Sequence, residues 1–146
     1  MAILVHINAE GVGPLDPDVE LLLERAAAAA FRAAGAADAE LSITLLDDAG
    51  IAALNERYLG HEGPTDVISF ALYDEGEPPL GDVYIGHAQA LRQAEQNGVA
   101  EPEELARLAI HGTLHVLGEV HPEGDERLDS PMWRAQERIL REVLER

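Results

Sequence analysis

Short strand-like runs and longer helical runs of apolar residues follow one another along the chain. Residues 2–8 (Ala-Ile-Leu-Val-His-Ile-Asn) are rich in β-branched side chains and predict an opening strand, closed by the turn-forming stretch Gly11-Val12-Gly13-Pro14. Asp16 before Pro17 offers an N-cap and a first-turn proline, and Val19 to Ala34 supplies strong helix formers until Gly35 stops them. The alanine run 26–30 lies between Leu21, Leu22, Leu23 and Phe31 and reads as a tightly packed helix face. Glu40 to Asp47 alternates Leu41, Ile43 and Leu45 with Ser42, Thr44 and Leu46, a second strand. Asp47 or Asp48 then caps a short helix that runs through Tyr58.

The loop Gly60-His61-Glu62-Gly63-Pro64 leads to a third strand, Thr65 to Leu72. After an acidic turn from Asp74 to Pro79, Gly81 to Gly86 forms a fourth, close enough in sequence to pair antiparallel with the third. The remainder is helical, roughly His87–Asn97, Pro102–Leu117 and Ser130–Leu144, with start signals at Glu101-Pro102 and Ser130-Pro131. No internal repeat or linker interrupts this order.

Composition narrows the picture. At 146 residues the chain suits one hydrophobic core, so a single domain over 1–146 is expected. Apolar residues make up 47% and charged residues 26%, the balance of a globular protein. There are no cysteines, which excludes disulfides, thiolate catalysis and Cys-based metal sites and leaves histidine and carboxylate as ligands. No stretch is apolar enough to span a bilayer and residues 1–7 lack a charged leader, so a cytoplasmic protein with no membrane partner is the expectation. The net charge of −18 repels a phosphate backbone unless a local patch reverses it. All ten basic residues are arginine, the better side chain for two-point phosphate contacts.

The chemistry concentrates in His111-Gly112-Thr113-Leu114-His115-Val116-Leu117-Gly118-Glu119-Val120-His121, which holds three of the six histidines. At about 100° per residue, His111 and His115 share a helix face, one turn apart. Gly118 can take the left-handed conformation that ends a helix and turn the chain back to bring His121 in as a third ligand. Three imidazoles with one position left open is the construction of a catalytic zinc site, although such a set also accepts nickel, copper or iron. The spacing matches the metal-binding portion of metzincin peptidases, but Gly112 stands where those enzymes carry the glutamate general base. The ligand pattern is kept and the peptidase base is lost. Hydrolysis with water held at the metal, His111 being the catalytic candidate, stays open.

Other candidates read more plainly. His6, His61 and His87 are each alone in their segment and are expected to be hydrogen-bonded or exposed. Met132 reads as helix packing with Trp133, Ile139 and Leu140 more readily than as a floor beneath the metal. Arg134, Arg138 and Arg141 form a stripe on the last helix, read as a solvated face with Glu137–Arg141 and Glu142–Arg146 ion pairs rather than an RNA contact.

The histidine run resembles the His-Gly-x-Leu-His-Leu-x-Gly-Tyr-Asp-His signature of the YbeY family of bacterial rRNA maturation factors. Further blocks occur in order: Leu54-Asn55 with Tyr58, Pro64 to Phe70, Leu80 to Val83, and Met132-Trp133 with Gln136-Glu137. The resemblance covers nearly the whole chain. It implies an α+β, zincin-like fold, with a small mixed four-stranded sheet carrying one antiparallel strand and packed against helices. It implies a metal, usually taken as one zinc ion, held by His111, His115 and His121. It also implies a single-strand-specific endoribonuclease that acts on the 3′ end of precursor 16S rRNA and in ribosome quality control, with the small ribosomal subunit and its assembly proteins as partners and no DNA. Thr65, Asp66 and Ser69 would help shape the site. The chain departs from the pattern at Leu59, where the family usually has arginine, with Arg57 about 200° away on a helix, and at Glu119-Val120 in place of Tyr-Asp. Two further readings remain at this stage: a ribosome-assembly binding factor with a structural metal, and a metallopeptidase, which Gly112 disfavours.

Overall fold

The computed structural model describes residues 2–119 and 130–145. In chain order these form β1 (Ile3–Asn8), a 3-10 turn (Glu10–Val12), α1 (Pro17–Ala33), β2 (Ala39–Leu46), α2 (Asp48–Leu59), β3 (Val67–Ala71), β4 (Leu80–Gly86), α3 (His87–Asn97), α4 (Glu101–Val116) and α5 (Pro131–Leu144). The architecture is the expected α+β arrangement, a four-stranded mixed sheet with helices packed on it. Strand order is β1-β2-β4-β3, with β1, β2 and β4 parallel and β3 antiparallel to β4.

Local chemistry accounts for most element boundaries. The Asp16 carboxylate accepts from the Asp18 N–H ahead of Pro17, and Asp47 rather than Asp48 caps α2 by accepting from Gly50 N–H. Ser130 caps α5 by accepting from Trp133 N–H. The connection from β3 to β4 is too short for a crossover, so the pair closes as a hairpin. Its turn is held by Glu77 N–H donating to Asp74 O, and Leu72 N–H reaches Leu80 O at 2.8 Å. The third strand begins two residues later than its β-branched pattern predicts. The Asp66 carboxylate takes the Val67 N–H at 2.8 Å and so ends the run locally, while Asp66 O still accepts from Gly86 N–H.

The sheet buries one face. Leu41, Ile43, Leu45, Val83 and Ile85 are fully buried and pack with α1 and α4, whose Ala26, Ala27 and Ala30 are also inaccessible. The alanine run is thus a close-approach surface, as its leucine flanks suggest. Helix α4 lies at the centre, against α1, α3, α5, β3 and β4, with ten of its 16 residues buried. Two steric keys set its position on the sheet. A Cβ on Gly112 would lie 2.6 Å from Val83 Cγ1, and a Cβ on Gly81 would lie 2.6 Å from Val116 Cγ1. Each glycine faces a valine of the other element, and the backbones approach closely at both places.

Helix α5 corrects one expectation. Glu137 does not pair with Arg141 on its own helix but turns to Arg107 of α4, because the partly buried guanidinium offers two parallel donors where Arg141 offers an exposed charge. Arg134, Arg138 and Arg141 are exposed, and Met132 joins the main core, as expected of helix packing. Among the described residues, no helix is long and apolar enough to cross a membrane.

Candidate metal centre and its cleft

Helix α4 carries the site, and its C-terminal end is firmly closed. Gly118 has φ 91°; its N–H donates to His115 O at 2.9 Å, and Glu119 N–H donates to Leu114 O at 3.0 Å. This is the left-handed glycine cap that the sequence predicts at that position. Tyr73 from the β3–β4 hairpin donates its hydroxyl to Val116 O at 2.9 Å and satisfies a further terminal carbonyl.

One turn before that end, His111 and His115 stand together. Their Nε2 atoms are 3.0 Å apart, and their ring centroids are 4.6 Å apart at an interplanar angle of 72°. Two nitrogen lone pairs facing each other at this distance repel unless a proton or a cation lies between them. Ligands about 2.0–2.1 Å from one tetrahedral zinc ion sit roughly 3.3 Å from each other, so the pair fits a shared cation with a shift of a few tenths of an ångström. The third predicted ligand, His121, lies outside the described residues, as do Val120 and Arg146. Among the described residues, no group of three or more His, Cys, Asp or Glu side chains is arranged around a cation position.

The histidines open on a cleft of about 1100 Å³, bounded by β3, by the ends of α2 and α3, and by the facing sides of α4 and α5. Asp66 and Ser69, expected near the site, line it; Thr65 does not, and its hydroxyl lies 3.5 Å from Asp66 Oδ1. Leu59, at the position of the usual arginine, lines the cleft and is 49% exposed, whereas Arg57 stacks over the Tyr58 ring. Amides from Gln93, Gln96 and Asn97 and the indole of Trp133 complete the wall.

The carboxylates of the cleft are engaged. Asp66 accepts from Val67 N–H and, at 3.3 Å, from Gln93 Nε2. Glu137 receives two parallel bonds from Arg107, Nε to Oε2 at 2.9 Å and Nη2 to Oε1 at 3.1 Å. Arg107 Nη1 also donates to Glu104 at 2.7 Å and Nη2 to Glu103 at 3.2 Å. Burial pushes the Glu104 carboxyl above its ordinary value, against the opposite pull of the Arg107 hydrogen bond. Burial also works against the Arg107 charge, but the bonds to Glu137 and Glu104 outweigh it and hold the guanidinium more firmly protonated than usual.

This network escaped the sequence reading. Arg107 stands four residues before His111 as His111 stands before His115, so helical spacing alone places it on the histidine face. Gln136 is 1% exposed; its Oε1 lies 2.6 Å from His111 Nδ1, and its Nε2 donates to Glu137 Oε2 at 3.0 Å. It carried no role in the sequence beyond its place in a motif. The isolated histidines follow expectation: His6 lies 3.2 Å from Glu40, His87 lies 2.9 Å from Glu101, and His61 is exposed.

Gly112 faces away from the cleft into the sheet, where a Cβ would also meet Ser69 Oγ at 3.1 Å. The position that bears the glutamate of a metzincin has no room here for any side chain.

Known proteins are similar to this chain in sequence and in fold. A family model described as Endoribonuclease YbeY matches residues 12–144. The Endoribonuclease YbeY of Pelotomaculum thermopropionicum is 42% identical, with 96% of this chain and 95% of the relative covered. That of Moorella thermoacetica is 41% identical, with 91% and 92% covered. The solution structure of TM1509 from Thermotoga maritima superposes with a TM-score of 0.66 at 27% identity, covering 97% of this chain and 89% of that one. With a family match along nearly its whole length and relatives above 40% identity, the chain belongs to the YbeY family of endoribonucleases.

Proposed function

We propose that this chain is a zinc-dependent, single-strand-specific endoribonuclease. Its substrate is precursor rRNA, including the 3′ end of 16S rRNA, processed in the cytoplasm in company with the small ribosomal subunit and its assembly proteins. Family membership over residues 12–144 is the observation that carries the activity. The cleft supplies the chemistry. His111, His115 and His121 would hold the cation, the first two already converging at Nε2. A divalent cation there supplies positive charge beside a scissile phosphate and Lewis acidity toward water.

The chain's own side chains then have distinct tasks. Trp133 offers an aromatic face on which an unpaired base can stack, and the amides of Gln93, Gln96 and Asn97 offer neutral hydrogen bonds to base edges or riboses. Among the described residues Asp66, Glu104 and Glu137 outnumber Arg107 along the wall, so this part of the cleft without a cation is negative and repels phosphate. Substrate entry and cation occupancy are therefore coupled.

A binding-only assembly factor with a structural metal is not favoured by relatives named as endoribonucleases. A peptidase lacks its base at Gly112. Incubating single-stranded RNA with zinc-loaded and chelator-treated protein, and with His115→Ala, tests the proposal. Cleavage by the loaded wild type should fall roughly a hundredfold or more in the other two samples. Cleavage indifferent to both changes overturns zinc dependence. Product ends separate attack by water from attack by the ribose 2′-hydroxyl, which leaves a cyclic phosphate.

A further inference from the structure

We infer that Gln136 is a positioning residue that fixes His111 as the Nδ1–H tautomer and so presents an unprotonated Nε2 to His115 and to the proposed metal. The inference starts two residues away from the ring. Arg107 bonds both oxygens of Glu137, at 2.9 and 3.1 Å, and is itself held by Glu103 and Glu104. Both oxygens of Glu137 thereby act as acceptors.

The amide of Gln136 lies against it with a nitrogen-to-oxygen distance of 3.0 Å. Only the NH2 end can face an oxygen that is already accepting from Arg107; the reverse orientation would set two acceptors against each other. The carbonyl end of Gln136 is consequently turned to His111, 2.6 Å from Nδ1. A carbonyl oxygen accepts and never donates, so the proton lies on Nδ1 and the lone pair on Nε2. Gln136 is 1% exposed, and water cannot take over either bond. Each link passes its polarity to the next, from guanidinium to carboxylate to amide to imidazole.

Free imidazole side chains in water favour the opposite tautomer, so the Nδ1–H form inferred here has to be imposed by its neighbours. A backing acceptor on the far nitrogen also raises the basicity of the ligand, and loss of such partners typically lowers metal affinity ~10–100-fold. The tautomer itself does not depend on the proposed function; only its use toward a metal rests on that reading.

Long-range proton–nitrogen correlation spectra of the full chain, ¹⁵N-labelled, chelator-treated and at a pH where the ring is neutral, test it directly. Wild type should show His111 with a protonated Nδ1 and a pyridine-like Nε2, a result that needs no substitution. In Gln136→Met, which keeps the shape and removes the acceptor, the population should move toward Nε2–H, and zinc affinity, read by competition with a chromophoric chelator, should fall ~10–100-fold. A role in packing alone would lower stability and leave the tautomer of His111 where it is. Nε2–H in the wild type, or an unchanged tautomer in Gln136→Met, overturns the inference. A wild type with the Nδ1–H tautomer that takes up no zinc supports the inference and removes the metal reading instead.

Discussion

Gly112 shows how one residue can answer a functional question through sterics. Its missing side chain removes the peptidase base, and the sheet explains the absence: a Cβ there would lie 2.6 and 3.0 Å from the two methyl carbons of Val83. Gly112→Ala should cost about 1–3 kcal/mol, because neither the central helix nor a core strand can yield without repacking. Chemical denaturation against the wild type measures it, and a loss below a few tenths would mean that the helix moves freely on the sheet. At this scale, residues with periodic or motif-borne signals were legible and their partners were not. The four-residue spacing of His111 and His115 predicts their shared face, and Gly118 announces the left-handed cap that the backbone adopts. Gln136 gave no comparable signal. Its role comes from a contact across 25 positions, and glutamine chemistry is too common to mark such a contact in advance.

Elements were read well because their ends carry their own instructions. Asp16-Pro17, Asp47 and Ser130-Pro131 each cap the helix predicted after them. The Glu137–Arg141 pair failed for a reason of the same scale. Spacing along one helix treats neighbours as partners, while α4 brings a better donor across the interface. The packing of α4 also leaves a titratable mark. Glu104 is buried, and burial raises its carboxyl pKa in the folded chain despite the bond to Arg107. A folded value above the unfolded one favours the folded state fully at low pH, and that contribution is lost as pH rises through the folded value. Stability should therefore decline as pH climbs upward from the ordinary carboxylate range. Glu104→Gln, which does not titrate but can still accept from Arg107, should have a flatter profile. Urea midpoints measured across that window for both proteins test this; parallel profiles would contradict a raised Glu104.

For the whole molecule, the short β3–β4 connection made one antiparallel pair legible, since a parallel return needs a longer crossover, while the mixed four-stranded sheet followed from the family resemblance. The cleft was not legible, because it is assembled from the ends of α2 and α3, the start of β3 and the faces of α4 and α5, which lie apart in the sequence. Charge belongs to this scale as well. The chain carries −18, and Arg107, the one arginine of the cleft wall among the described residues, is already shared among three carboxylates. RNA binding should consequently release few counterions. For a nuclease-resistant single strand and zinc-loaded protein, log affinity against log salt should have a slope no steeper than about −1.5, that is, about two neutralised phosphates at −0.7 each. Fluorescence anisotropy over a salt series measures it, and a slope near −4 would require a basic RNA path outside this cleft.

The paired glycine and valine contacts between α4 and β4 have a consequence for how such a site can vary and survive. Gly112 and Val116 are separated by the same four positions as His111 and His115, and each histidine immediately precedes a keyed residue. A slip of the helix by one turn would drive Val116 onto Val83, so the sheet admits a single setting. Whatever preserves that setting also preserves where the two imidazoles stand relative to β3 and α5. Substitutions elsewhere on α4 are thus filtered by the core for the place of the histidines in the cleft, before any selection on cleavage acts.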